Sequence, residues 1–185
     1  MGGKNPLVVL DDADLEVAVE VALQGAFGST GQRCTASSRL IVTAGIHDRF
    51  VEALTARMSE WRVGDARASD TDMGPVVDAT QLAQDEKYLE IARTEGGEVV
   101  GGERVERGSD GHFLAPALVV GTDSSMTVNR EEVFGPVASV IEVADYDQAL
   151  ATANDTEFGL SSGIVTTSLA AATHFRRHST AGMVM

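Results

Sequence analysis

The stretch FGSTGQRCTASSRL, Phe27 to Leu40, holds the one cysteine of a 185-residue chain. Cys34 stands among small and hydroxyl-bearing residues, one position after Arg33. In a loop of that composition the backbone can approach a substrate closely. A thiol becomes a strong nucleophile when a neighbouring cation or donor favours its ionised form. The same residue also reads as a small, inert filler of the core, the common fate of a lone cysteine. A second stretch, EEVFGPV from Glu131 to Val137, sets two acids ahead of an aromatic. Taken by themselves, those residues read as solvated loop acids and a core ring.

The remaining side chains offer little other chemistry. His47, His112, His174 and His178 lack ligand spacing, and only His174 and His178 share a helical face at i, i+4. A metal site is not expected. No glycine-rich spot is followed by the lysine and spacing of a phosphate-binding loop, and GGKNP and GGERVERG are too weak to be nucleotide fingerprints.

Alternating strands and helices must position the cysteine. Pro6 to Leu10 is a short apolar strand, with Asp12 and Asp14 offering caps to a helix. Leu15, Ala18, Val19, Ala22, Leu23 and Ala26 form one face of that helix. Gly28 to Gly31 break the pattern and open the cysteine loop. Arg39 to Val42 reads as a buried strand. Phe50, Val51, Leu54, Met58 and Trp61 mark a second helix, and Asp78 caps a third that stops at Gly96-Gly97. Strands follow at Glu98 to Val100, Phe113 to Val120 and Val137 to Val143. Pro116 predicts that the middle one is an edge or irregular strand. A fourth helix carries Tyr146, Ala149, Leu150 and Ala153. Gly163 to Thr167 is a strand, Leu169 to His178 a helix, and Gly182 begins a last strand. This alternation predicts an α/β fold with an open, largely parallel sheet and helices on both faces.

Several stretches together resemble the aldehyde dehydrogenase superfamily. FGSTGQRCTASSRLIV is similar to its cysteine motif and EEVFGPV to its second signature. GGKNP at the start, GPVVDATQ, FGLSSGIVT and AGMV follow in the family's order. The resemblance covers residues 1–185, read as one catalytic domain of the family's type. It implies that Cys34 is the nucleophile, attacking an aldehyde carbon so that hydride leaves to a nicotinamide and a thioester remains for hydrolysis. It also implies that the Cys34 N–H is one donor to the oxyanion. Glu132 matches the residue that hydrogen-bonds the nicotinamide ribose, and Phe134 the aromatic beside the nicotinamide. Gly2 and Gly3 match the turn next to the cofactor. Gln81 falls where the family often places another ribose contact, though it also reads as a solvent-facing helical residue. Lys4 reads as structural. The implied cofactor is NAD or NADP. Arg33 and its surroundings are most like the branch acting on semialdehydes, where a cation would suit a carboxylate-bearing substrate.

In that family a general-base glutamate stands just before the two glycines, and a Rossmann-type cofactor domain precedes it. The expectation is a domain fragment, inactive by itself, whose cofactor-binding and oligomerisation segments lie elsewhere in a homo-oligomeric parent. Composition sets further bounds. A net charge of −14 argues against a nucleic-acid partner. No apolar run is long enough for a bilayer, and one cysteine forms no internal disulfide, so a cytoplasmic protein is expected; the small-molecule aldehyde substrate is what the resemblance implies. Two other functions fit less of the sequence: a cysteine-dependent hydrolase or acyl-transfer domain, and a non-catalytic binding or assembly module that retains the fold.

Overall fold

The computed structural model describes residues 2–185. One seven-stranded sheet forms the centre, with strands Asn5–Val9 (β1), Ser37–Thr43 (β2), Glu98–Gly101 (β3), Ala117–Thr122 (β4), Val137–Val143 (β5), Ser161–Val165 (β6) and Met183–Val184 (β7). Their spatial order is β3-β4-β5-β2-β1-β6-β7. Every pairing is parallel except β3 with β4. The helices are Leu15–Phe27 (α1), Ala44–Glu60 (α2), Ala79–Thr94 (α3), Thr127–Arg130 (α4), Tyr146–Asn154 (α5) and Leu169–His178 (α6).

Strand alternation splits the core between the two faces. Leu7 and Val9 of β1, with Leu40 and Val42 of β2, pack under α1 and α2. Val8 and Ile41 of the same strands face α5 and α6 with Ala149, Ala153 and Phe175. Val137 of β5 and Val119 of β4 pack with α3 and α4 on that second face. The expected two-faced architecture is therefore present.

Local chemistry fixes most helix starts. Asp14 accepts from Val17 N at 3.1 Å, Asp78 from Gln81 N at 2.8 Å and Asp145 from Gln148 N at 2.9 Å. Asp12 caps nothing. Its carboxylate receives the hydroxyls of Thr166 and Thr167 and so ties β1's exit to β6's. Of the two readings Pro116 offered for β4, the edge is wrong, since the strand lies between β3 and β5, while irregularity is present as a register shift against β5 between Val119 and Thr122. The proline stands one residue before the strand begins, where its missing N–H interrupts no ladder bond.

Candidate active site

Gly3 leads into β1, Cys34 into β2, and Glu132 and Phe134 into β5. These three strands are parallel neighbours in the order β5-β2-β1. The candidate residues converge at the amino ends of the strands, opposite to the carboxyl-end crevice used by many open α/β sheets.

After α1 the chain makes a short 3-10 turn, Gly28–Gly31, in which Ser29, Thr30 and Gly31 have φ of 55°, 57° and 65°. Left-handed backbone costs about 1–2 kcal/mol for each non-glycine residue. The surroundings hold it: Gln32 Nε2 donates to Thr30 Oγ1, and Val77 N donates to Gln32 Oε1 at 3.0 Å. Gly31 also has no room for a side chain, since a Cβ would lie 2.1 Å from the Gly135 carbonyl oxygen. The cysteine turn and the Glu132 loop thus meet backbone to backbone.

Cys34 is exposed, so the core-filler reading is excluded. Its carbonyl accepts from Asn5 Nδ2 at 2.9 Å, and the same amide nitrogen donates to Ala36 O at 2.8 Å. Asn5 Oδ1 in turn accepts from Ser161 N at 3.1 Å, so one buried side chain fastens the cysteine loop to β1 and β6. Among the described residues no backbone carbonyl takes the Cys34 N–H. It is a free donor beside the thiol. Arg33 lies elsewhere than its sequence position suggested. Its Nη2 donates to Gln24 O at 2.9 Å and Gly25 O at 3.1 Å, so the guanidinium closes the carboxyl end of α1.

Glu132 Oε1 accepts from Gly3 N at 2.8 Å. Its Oε2 has no protein donor among the described residues and lies 2.3 Å from where a Gly2 Cβ would be. Phe134 has φ of 63° and is 38 % exposed, so the ring stands out rather than in the core. Strained backbone at an exposed aromatic is the kind of outlier that functional sites retain. A carboxylate oxygen open to hydroxyl donors, a glycine cradle and a bare aromatic face suit a ligand with a diol and a flat ring. Gln81 directs its Nε2 to Asp85 Oδ1 at 2.7 Å and Val133 O at 3.1 Å. Any contact it makes with such a ligand falls to its Oε1. Among the described residues no group of three or more His, Cys, Asp or Glu is placed to hold a metal, and no helix is long and apolar enough to cross a membrane.

Asn5, Arg39 and Asp85 escaped the sequence reading as parts of the site's support, whereas Lys4 reads as structural and is buried. Lys4 is 1 % exposed and its Nζ has no partner among the described residues. Burial, with Arg39 adding to it, brings that ammonium down to about 7. Arg39 is also buried, donating from Nε to Lys4 O at 3.1 Å and from Nη2 to Ala153 O at 3.0 Å. It neutralises the carboxyl end of α5. Burial lowers its value to about 10. An arginine opening a buried strand was the one available signal.

The fold and the site together define an open α/β sheet that presents a single exposed thiol beside a carboxylate-and-aromatic loop. The chain belongs to the aldehyde dehydrogenase family, whose profile matches residues 1–185. It is 44% identical to alpha-ketoglutaric semialdehyde dehydrogenase of Bacillus subtilis and 41% identical to 2,5-dioxopentanoate dehydrogenase of Saccharolobus solfataricus. Both alignments cover 100% of this chain and 38% of the relative, so the chain spans well under half the length of these curated relatives. The crystal structure of betaine aldehyde dehydrogenase from Staphylococcus aureus in complex with NAD+ superposes on 100% of this chain and 37% of its own, with a TM-score of 0.97 at 37% identity. 1-Pyrroline-5-carboxylate dehydrogenase from Thermus with bound NAD superposes over 100% of this chain and 35% of its own, with a TM-score of 0.94 at 37% identity.

Proposed function

We propose that these 185 residues are the nucleophile-bearing unit of an NAD(P)-dependent aldehyde dehydrogenase that oxidises a semialdehyde to a carboxylic acid. The observation that carries this reading is the exposed Cys34 thiol with its unengaged N–H, set on a loop anchored by Asn5 beside Glu132 and Phe134.

In this reading the Cys34 thiolate attacks the aldehyde carbon. An S–C bond forms, and the carbonyl electron pair moves to oxygen, where the Cys34 N–H stabilises it. The tetrahedral carbon can then release hydride, which the flat aldehyde could not. The nicotinamide, when bound, supplies the two-electron acceptor. Glu132 would hold the ribose diol of that cofactor, and Phe134 would flank its ring. The acyl group left on sulfur is hydrolysed by water, releasing the carboxylic acid and restoring Cys34. We assign the base that activates this water, and the rest of the cofactor site, to polypeptide outside these residues. The semialdehyde preference rests on the relatives at 44% and 41% identity, not on Arg33.

Covalent capture tests the reading. An electrophilic aldehyde analogue should add to Cys34 alone, as read by intact mass and peptide mapping, and Cys34→Ser should take up none. An unmodified Cys34 in the folded chain removes the nucleophile. Steady turnover of an acyl thioester without NAD(P) would favour the hydrolase reading instead.

A further inference from the structure

Helix α3 turns Gln81, Gln84, Asp85 and Tyr88 to one side, at spacings i, i+3, i+4 and i+7. All four touch the segment from Glu131 to Gly135. Gln81 Nε2 and Gln84 Nε2 donate to Val133 O at 3.1 and 2.9 Å. Tyr88 Oη donates to Glu131 Oε2 at 2.7 Å. Gly135 presses so closely on Asp85 that a Cβ there would fall 2.0 Å from Oδ1.

Asp85 is unlike the others in being fully buried. Its Oδ1 accepts from Gln81 Nε2 at 2.7 Å, while its Oδ2 is buried with no hydrogen-bond partner among the described residues. An ionised carboxylate in that setting would be poorly satisfied, whereas a neutral acid leaves far less charge unsolvated. The charged groups nearby do not help. Glu86 is its neighbour on α3 and is itself paired with Arg104, and the loop contributes Glu131 and Glu132. Among the described residues no cation bonds to Asp85.

We propose that Asp85 is a positioning residue which, as an uncharged carboxylic acid, holds the Gln81 amide and the Val133–Gly135 turn in register, so that Glu132 and Phe134 keep their presentation while Asp85 keeps its proton. The link to the cofactor rests on the assignment of Glu132 and Phe134 made above. Burial, opposed by the Gln81 hydrogen bond, pushes the Asp85 carboxyl up to about 7. When its proton passes to water, a buried charge is created beside acids. The side chain must draw water in or swing out. Gln81 Nε2 follows the stronger charge-assisted bond, and Val133 O keeps only Gln84.

Hydrogen exchange on this chain, without cofactor, tests the latch. The amides of Val133, Phe134, Gly135 and Val137 are compared one pH unit either side of about 7, corrected for intrinsic exchange. Protection in the wild type should fall by about tenfold across those two pH units, as the protonated fraction of Asp85 drops from about ten-elevenths to about one-eleventh. Asp85→Asn keeps the carbonyl that accepts from Gln81 and should show no such fall. Asp85→Leu should lack the protection at both values. The same profile in wild type and Asp85→Asn, or a flat wild-type profile, overturns the proposal. Should Asp85→Leu fail to fold, the first two proteins still decide it. A second arm adds nicotinamide mononucleotide and follows the same amides. Extra protection that is lost with Asp85→Leu and recovered with Asp85→Asn supports the link to the cofactor. A working latch with no response to the nucleotide overturns that link, and with it the assignment of Glu132, while leaving the latch intact.

Discussion

The backbone N–H of Gly3 donates to Glu132 Oε1 at 2.8 Å, joining residues 129 positions apart. Gly3 also lies against the cysteine loop, because a Cβ on it would sit 2.1 Å from the Cys34 carbonyl oxygen. The lead into β1 is thus a shared wall between the Cys34 loop and the Glu132 carboxylate.

Gly3→Ala should push these two elements apart. Backbone oxygen cannot yield as a flexible side chain does, so overpacking of about 1–3 kcal/mol is expected. Urea unfolding measures the loss. Iodoacetamide kinetics should show an altered Cys34 rate in the folded variant. Unchanged stability and rate would mean that the wall is softer than the geometry implies.

Asn5→Ala removes three bonds at once, leaving Cys34 O, Ala36 O and Ser161 N without their partner. Each buried unsatisfied group costs about 1–3 kcal/mol, partly relieved by water. A destabilisation of about 3 kcal/mol is expected by urea denaturation. Asn5→Asp keeps the acceptor and loses the donors, so it should loosen the cysteine loop more than β6. Exchange rates of the Ala36 and Ser161 amides would separate the two.

The isolated chain should oxidise no aldehyde with NAD+ at a rate near that of the full-length relatives, since catalytic groups act as a unit and most of the unit is assigned elsewhere. Cys34 should nevertheless react with iodoacetamide in the folded state, because the thiol is exposed. Full turnover abolished by Cys34→Ser would show that these residues suffice.

Two buried groups should give the stability a minimum near neutrality. From 3.8 to about 7 the folded chain keeps the Asp85 proton that the unfolded chain releases. Stability from this group therefore falls as pH rises through that window and is lost above it. From about 7 to 10.5 the unfolded chain keeps a Lys4 proton that the folded chain gives up, so stability recovers as pH rises there. Lys4→Met removes an unpaired buried ammonium and should stabilise the protein by about 1–4 kcal/mol at neutral pH and below. Thermal unfolding of the variant across pH should also lack the rise above neutrality.

An apolar groove runs between α1 and the β6–β7 edge, and includes Val17, Val21, Met183 and Met185. These four side chains are between 42% and 69% exposed. Exposed patches of this kind, beside a sheet edge, favour association between copies. A net charge of −14 opposes it, and salt screens that repulsion. A dimer that strengthens with ionic strength is expected by light scattering. A monomer at every salt and at high protein concentration would reject it.

Where capping and glycine stops are local, elements were readable in the sequence: α3 starts after Asp78 and ends near Gly96, whose φ is 101°, and α6 occupies the residues expected of it. α2 begins at Ala44, six residues before the first marker Phe50, because its opening turn has no capping side chain and only Ile46 buried. At the site, Cys34 and Glu132 were legible through motifs. Asn5 and Arg39 were not, because their roles lie in bonds to residues 29 and 114 positions away. Asp85 drew no notice in the sequence, since its burial depends on the packing of Gly135, fifty positions on, against it.

Arg33 binding the last carbonyls of α1 constrains how this chain can change in length. Helix and cysteine turn behave as one block with a fixed phase. One residue inserted within Leu15–Phe27 would rotate everything beyond it by about 100° and carry the Gln24 and Gly25 carbonyls away from the guanidinium. Homologous chains can thus vary freely in the exposed stretch from Glu106 to Gly111, but insertions and deletions between Leu15 and Ala36 would have to arrive in compensating pairs.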